Sequence, residues 1–240
     1  MQGGTLARTH DGKPGLPRGR SRLPAPDVRA SQVRRLRAAT IAAVAESGYA
    51  AVTVADIVRR ARVSRAAFYA HFADKEDCFL AATREGGQLM ADRVVDATRA
   101  LPAGTADETV LRTGFRAFLD FLAHEPAFAR AFYVDMQTAG PRAVERFDAA
   151  CRHFGDMTAT WHERARDRHR RWPAVPRVAY LGLAGATAEL VRSWVRSGDT
   201  NALPKLEDPL VSLHLAVLAA RPWPAGGELR DVRALRCRPA

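Results

Sequence analysis

The chain has 240 residues, 47% hydrophobic and 26% charged, with a formal net charge of +11. That length buries a substantial core, and no apolar run approaches the roughly 18–20 residues a membrane-spanning helix needs, so a soluble cytoplasmic protein is expected rather than a membrane one. The charge is unevenly placed: residues 1–72 hold 13 of the 37 basic and 4 of the 26 acidic residues, a net +9, while the remainder is near neutral. A basic head on a neutral body points to a polyanionic partner, against the plainer alternative of a solvated Arg-rich tail.

Residues 1–30, rich in Gly, Pro and Arg, read as a disordered basic arm with no apolar stretch of a secretory signal. From about Ser31 a helical pattern begins, with Val33, Leu36, Thr40, Ala43, Val44 and Ser47 at three-to-four spacing and Gly48 as its stop. Thr53 and Asp56 match a capping box, opening a short helix that turns Val54, Ile57 and Val58 inward. Ala61-Arg62-Val63 is a tight connection, and Ser64 caps a second short helix to about Ala70. Asp74 with Asp77 starts a longer helix to about Ala100, broken by Leu101-Pro102-Ala103-Gly104.

The body continues in the same period. An amphipathic stretch covers residues 106–123, Glu125-Pro126 interrupts it, and a shorter segment runs to Gly140-Pro141. One long helical pattern spans residues 142–171. After Pro173 and Pro176 comes VAYLGLAGATAELVRSWV, closed by Gly198, and Asp208-Pro209 is expected to cap a last apolar helix. No stretch alternates as a strand does. The expected fold is all-α, with about nine helices.

Two short helices joined by a tight turn and braced by a longer one have the shape of a helix-turn-helix unit. Ile57, Val58, Ala61, Val63, Ala67 and Phe68 supply the apolar skeleton that fixes their crossing. The second helix then keeps Arg65, Ala66, Tyr69 and Ala70 on its outer side. Small Ala residues let it approach a groove floor, Arg65 can hydrogen-bond a guanine edge, and Tyr69 can reach a phosphate or a thymine methyl. Thr53 and Lys75, at helix starts, are placed for phosphate oxygens, although the Thr53 hydroxyl is also the cap. Phe68 and Phe72 read as core, and His71 as either a phosphate donor or a packing histidine. Arg18, Arg20 and Arg22 in the arm are candidates for a minor groove or for non-specific affinity.

The segment TVADIVRRARVSRAAFYAHFADKE, residues 53–76, resembles the signature of the TetR family of bacterial transcriptional regulators. That signature runs Thr, three residues, Ile-Ala, then Ala-Gly-Val-Ser, then Phe-Tyr-x-His-Phe and Lys-Glu, and the resemblance covers about residues 33–80. It implies that Thr53, Ser64, Arg65, Ala66, Tyr69, His71 and Lys75 address double-stranded operator DNA. Two positions depart from it: Arg62 stands where a small residue is often found, and Val58 replaces Ala. A left-handed conformation at Arg62 is expected to cost on the order of 1 kcal/mol relative to Gly.

In proteins this body resembles, the C-terminal helices bind a small ligand and dimerise. For a homodimer interface the sequence offers Leu181, Gly182, Gly185, Ala186, Leu190 and Trp194 on one helix and Leu213 and Val217 on the last, with simple internal packing as the rival reading. For a largely apolar effector it offers Phe115, Phe118, Phe121, Tyr133, Met136, Phe154, Met157 and Trp161. The implied mechanism is a population shift, in which effector releases a repressor from a near-palindromic operator. The implied division is an arm over residues 1–30, a DNA-binding domain over 31–76, a ligand-binding and dimerisation domain over 77–221 and a tail over 222–240.

No phosphate-binding Gly loop, nucleophile elbow or metalloprotease pair is present, so an enzyme is disfavoured. Cys78, Cys151 and Cys237 lack metal-ligand spacing, as do His124, His153 and His162, and no metal or cofactor is expected. A sequence-independent nucleic-acid binder acting through the arm alone is the remaining alternative.

Overall fold

The computed structural model describes residues 4–8 and 25–219. Among them, nine α-helices account for most of the chain and no strand occurs: α1 (Ala25–Ser47), α2 (Val54–Ala61), α3 (Arg65–Tyr69), α4 (Lys75–Arg99), α5 (Asp107–His124), α6 (Pro126–Tyr133), α7 (Pro141–Arg168), α8 (Arg177–Ser197) and α9 (Glu207–Leu218). Three short 3-10 segments, Thr5–Ala7, Asp135–Gln137 and Thr200–Leu206, complete the regular structure. No helix among the described residues is long and apolar enough to cross a membrane.

The head forms where local chemistry dictates. Gly48 adopts φ 79° and its N–H closes on the Val44 carbonyl at 2.8 Å, ending α1. Thr53 and Asp56 make a reciprocal capping box at the start of α2. Ser64 accepts from the Ala67 N–H at 3.1 Å to start α3, and Asp74 accepts from the Asp77 N–H at 2.7 Å to start α4. Each oxygen satisfies a backbone donor that the first helical turn leaves unpaired.

Two expectations about helix ends are corrected. The first helix begins at Ala25, six residues before the periodic pattern, with Pro26 and Asp27 in a first turn that favours both. The last helix begins at Glu207, so Asp208 lies inside it and is not a cap. The 3-10 segment Thr200–Leu206 runs straight into α9, so its carbonyls already serve the first N–H groups. Asp208 instead pairs with Arg112, and Glu207 meets Arg112 at 3.1 Å and Arg116 at 2.9 Å, tying α9 to α5.

One apolar cluster runs without a break from head to body. It holds Leu36, Ile41 and Val44 of α1, Ile57 of α2, Phe68 of α3 and Phe79 of α4 together with Leu119, Phe128 and Phe132 of α5 and α6. The first turns of α4 are therefore as much head as body. Farther along, α4 meets α6 closely enough that a Cβ on Gly86 would run into the Phe128 ring. A smaller cluster around Tyr180, Leu183 and Leu218 binds the far ends of α7, α8 and α9.

The arm expected to be disordered over 1–30 is ordered where it is described: residues 4–8 form a 3-10 turn packed against α1 and α6, and residues 25–30 are the first turns of α1. Arg18, Arg20 and Arg22 lie outside the described residues, and so does the tail at 222–240.

Candidate functional site

The helix-turn-helix presents α3 outward. Phe68 is fully buried and packs on Phe72 at 5.8 Å, while Ser64, Arg65, Ala66 and Tyr69 face solvent and Tyr69 keeps 48% of its surface exposed. The Arg65 guanidinium lies 5.7 Å from the Tyr69 ring centre, so the two form one exposed cationic-aromatic unit on the outer face. The turn before it holds Arg62 at φ 52°, ψ 46°, the left-handed conformation considered above. Arg35 of α1 donates to the Ala61 carbonyl at 3.3 Å and so closes the end of α2.

The other predicted DNA contacts are differently engaged. The Thr53 hydroxyl donates to Asp56 at 2.6 Å while accepting from the Asp56 N–H, so its proton is committed to the cap. His71 is half-buried with Nε2 3.0 Å from Gln32 Oε1 of α1, which makes it a brace between α1 and the end of α3. Lys75 donates to the carbonyls of Tyr49 and Val52, both at 2.8 Å, and sits 4.2 Å from the Tyr49 ring centre. Burial lowers its pKa. Two of its three donors thus hold the α1–α2 loop rather than a phosphate.

That loop is gripped from the body as well. Asp135, in the segment after α6, accepts from the Tyr49 N–H at 3.2 Å. It is buried, its second oxygen has no partner and Arg130 stands 4.0 Å away, so burial raises the carboxyl pKa above its usual range. Glu76 and Arg142 pair at 3.1 Å, joining the starts of α4 and α7. Sequence patterning singled out neither Asp135 nor Gln32, because both act across distant segments.

Behind this joint, α4, α5 and α7 line a cavity of about 830 Å³ that opens to solvent, with Phe132 of α6 on its wall. Five residues expected to line a pocket do so: Phe115, Phe118, Phe154, Met157 and Trp161. Three do not. Tyr133 and Met136 are buried in the head–body core, Tyr133 against Phe147 of α7 at 5.9 Å, and Phe121 turns edge-on to Phe128 at 5.9 Å. Met90, Val94 and Leu111 complete the apolar wall.

The same wall carries Arg84 and Arg99 of α4 and Arg146, His153 and Arg164 of α7. Among the described residues no carboxylate lies within 4.0 Å of Arg84 or Arg146. Burial lowers the Arg146 pKa and the charge of Arg84, exposed at the pocket edge, lowers it further, so two neighbouring arginines without a carboxylate partner line the pocket. Helical spacing does not reveal this pair, because the two arginines are far apart in sequence. At one end Asp107 is buried against Arg168 and against His169 Nε2 at 3.0 Å, and the Arg168 hydrogen bond holds the Asp107 carboxyl below its ordinary range. Among the described residues no group of three His, Cys, Asp or Glu gathers to hold a metal ion.

The proposed interface residues lie on α8 and α9. Gly182, Gly185 and Leu190 are exposed, and a Cβ on either glycine would meet nothing among the described residues within 4 Å. Leu181, Ala186, Trp194, Leu213 and Val217 are half-buried. Packing among the described residues therefore does not require small residues at 182 and 185.

Residues 36–82 match the family of bacterial regulatory proteins, tetR family. The HTH-type transcriptional activator FasR of Mycolicibacterium smegmatis is 26% identical over 155 residues, covering 63% of this chain and 67% of FasR. The fatty acid degradation regulator FadR from Bacillus halodurans superposes with a TM-score of 0.68 at 18% identity, over 79% of this chain and 97% of that one. FadR from Bacillus subtilis, solved in complex with stearoyl-CoA, gives 0.66 at 17% identity, over 76% and 97%. At these identities the superpositions establish a shared fold. The match across the head identifies residues 36–82 as a tetR-family helix-turn-helix DNA-binding domain.

Proposed function

We propose that the protein binds a near-palindromic operator as a homodimer and is released by an amphipathic effector with an apolar chain and an anionic group, fatty acyl-CoA esters being the class. The observation that carries the effector class is the cavity itself: aromatic and Met walls on three helices, with the uncompensated pair Arg84 and Arg146 beside them. An alkyl chain removes apolar surface from water there, at about 0.8 kcal/mol per buried CH₂. A phosphate or carboxylate supplies the missing counter-charge. The stearoyl-CoA bound by the Bacillus subtilis FadR, a protein of the same fold, supports this class.

On the DNA side, Arg65 and Tyr69 read the groove while the capped helix starts hold their register. The joint between the sites is α4, which carries Phe79 in the head core and Thr83 through Arg99 along the cavity. Arg37 of α1 meets Glu85 of α4 at 3.3 Å, so the first helix follows it. Effector weakens DNA binding by favouring a head placement that fits the operator less well, and only to the extent of its differential affinity for the two placements.

The test is fluorescence anisotropy on a duplex selected by the wild-type protein from random sequence, with and without stearoyl-CoA. Arg65→Ala should lose about 1–3 kcal/mol of discrimination against a scrambled duplex. Stearoyl-CoA should lower operator affinity at least about fivefold, and an Arg84→Ala, Arg146→Ala double variant should respond much less. Equal binding of wild type to selected and scrambled duplexes would overturn the operator reading. An unchanged operator affinity at saturating stearoyl-CoA would overturn the effector reading.

A further inference from the structure

We propose that the α5–α6 junction is a docking site for residues 4–8, which form a strap fastening the DNA-binding head to the body. Its centre is Glu125, between α5 and α6, only 6% exposed. Among the described residues no cation lies within 4.0 Å of its carboxylate. A buried carboxylate without a cation is tolerated only where hydrogen-bond donors replace water. Here the donors come from the 3-10 turn near the chain start: the Thr5 N–H at 2.7 Å, the Leu6 N–H at 2.9 Å and the Thr5 hydroxyl.

The fit extends beyond the carboxylate. At position 4 a Cβ would run into that carboxylate and into the His124 carbonyl, so the backbone can approach only as glycine. Leu6 and Ala7 pack against the apolar cluster shared by head and body. The turn closes on itself through the Ala7 N–H to the Gly4 carbonyl and the Arg8 N–H to the Thr5 carbonyl. Polar anchor, backbone clearance and apolar seat all act on the same four residues, Gly4 to Ala7.

The position of the strap gives it a consequence. It touches α1, the brace of the helix-turn-helix, and α6, which packs Phe128 on Gly86 of α4 and places Phe132 on the cavity wall. Docked, it adds to the direct packing of α1 on α6 in opposing their relative motion; released, it leaves only that packing and the bond between Tyr49 and Asp135. Strap docking therefore sets how readily the head changes placement, and with it operator affinity.

Two measurements on the full chain test this, and only the second rests on the operator reading above. Amide exchange by NMR should find the Thr5 and Leu6 N–H groups protected in the wild type and unprotected in Glu125→Ala and in Gly4→Val. Gly4→Val leaves Glu125, the body and every basic residue intact, so it separates strap release from damage to the fold. With that variant, affinity for the selected operator should change at least about fivefold while its salt dependence stays the same, because no phosphate contact is removed. Free exchange of both amides in the wild type would overturn the docking site. Loss of protection in Gly4→Val with operator affinity held within about twofold would overturn its control of the head.

Discussion

Arg62 is the only non-glycine residue at positive φ among the described residues, and it sits in the turn of the helix-turn-helix. The left-handed conformation brings its Cβ against its own backbone, a strain glycine lacks. Arg62→Gly should therefore raise stability by up to about 1 kcal/mol, offset partly by the greater freedom of glycine in the unfolded chain, as read from urea unfolding. His214 is a second residue whose burial makes a prediction. Its Nδ1–H donates to the Leu210 carbonyl at 2.8 Å, its Nε2 has no partner, and Phe115 lies 4.7 Å away. Desolvation brings its pKa from 6.5 down to about 4. Between those values the unfolded chain takes up a proton that the folded chain refuses, so stability present above pH 6.5 is lost as pH falls toward 4. His214→Phe keeps a flat ring and removes that proton site, so wild type should lose on the order of 2 kcal/mol more than the variant between pH 7 and 5. Parallel urea titrations at the two pH values measure the difference.

Among the elements, α4 and α6 carry the greatest mechanical demand. Gly86 lets them approach until only a hydrogen separates the α4 backbone from the Phe128 ring. Gly86→Ala improves helix propensity yet forces that ring to move, so overpacking should outweigh propensity and destabilise by about 1–3 kcal/mol in urea unfolding. The helices themselves were legible where a cap, a glycine and a 3.6-residue period agreed, as at Thr53, Gly48 and Asp74. Reading failed where composition masked the signal. Pro26 and Asp27 open a helix but stand among arm-like Pro and Arg residues, and Thr200–Leu206 has a 3-10 turn with Pro204 inside it and no apolar period. The head's exposed face, Arg65 with Tyr69, follows from a two-helix pattern that is local in sequence. The Arg84–Arg146 pair, the Asp135 bond to Tyr49 and the Glu125 socket are products of packing between distant segments, where each charge alone looks like a solvated helix residue.

At the scale of the molecule, one head presents a recognition helix of five residues, enough for a single half-site. In the homodimer proposed above, specific operator affinity depends on the second copy, which places two such helices about 34–36 Å apart on one face of the duplex. The open stripe on α8 is suited to that role. Gly182 and Gly185 leave room that nothing among the described residues fills, and Leu190 beside them is 36% exposed. Small residues there allow two helices to approach closely, with the half-buried Trp194, Leu213 and Val217 adding apolar area at the margin. Gly185→Arg tests this at a position where the monomer can absorb the change: the new side chain enters open space, so the unfolding midpoint of the monomer should stay within the small range of surface substitutions. Across a two-fold axis the same arginine appears twice near the axis, adding like charge and bulk to both copies. Sedimentation velocity should show wild type as a dimer and Gly185→Arg as a folded monomer. Anisotropy should show the variant losing operator discrimination while it keeps the salt-dependent, non-specific binding its basic head supports. A Gly185→Arg protein that remains dimeric would move the interface off this stripe of α8.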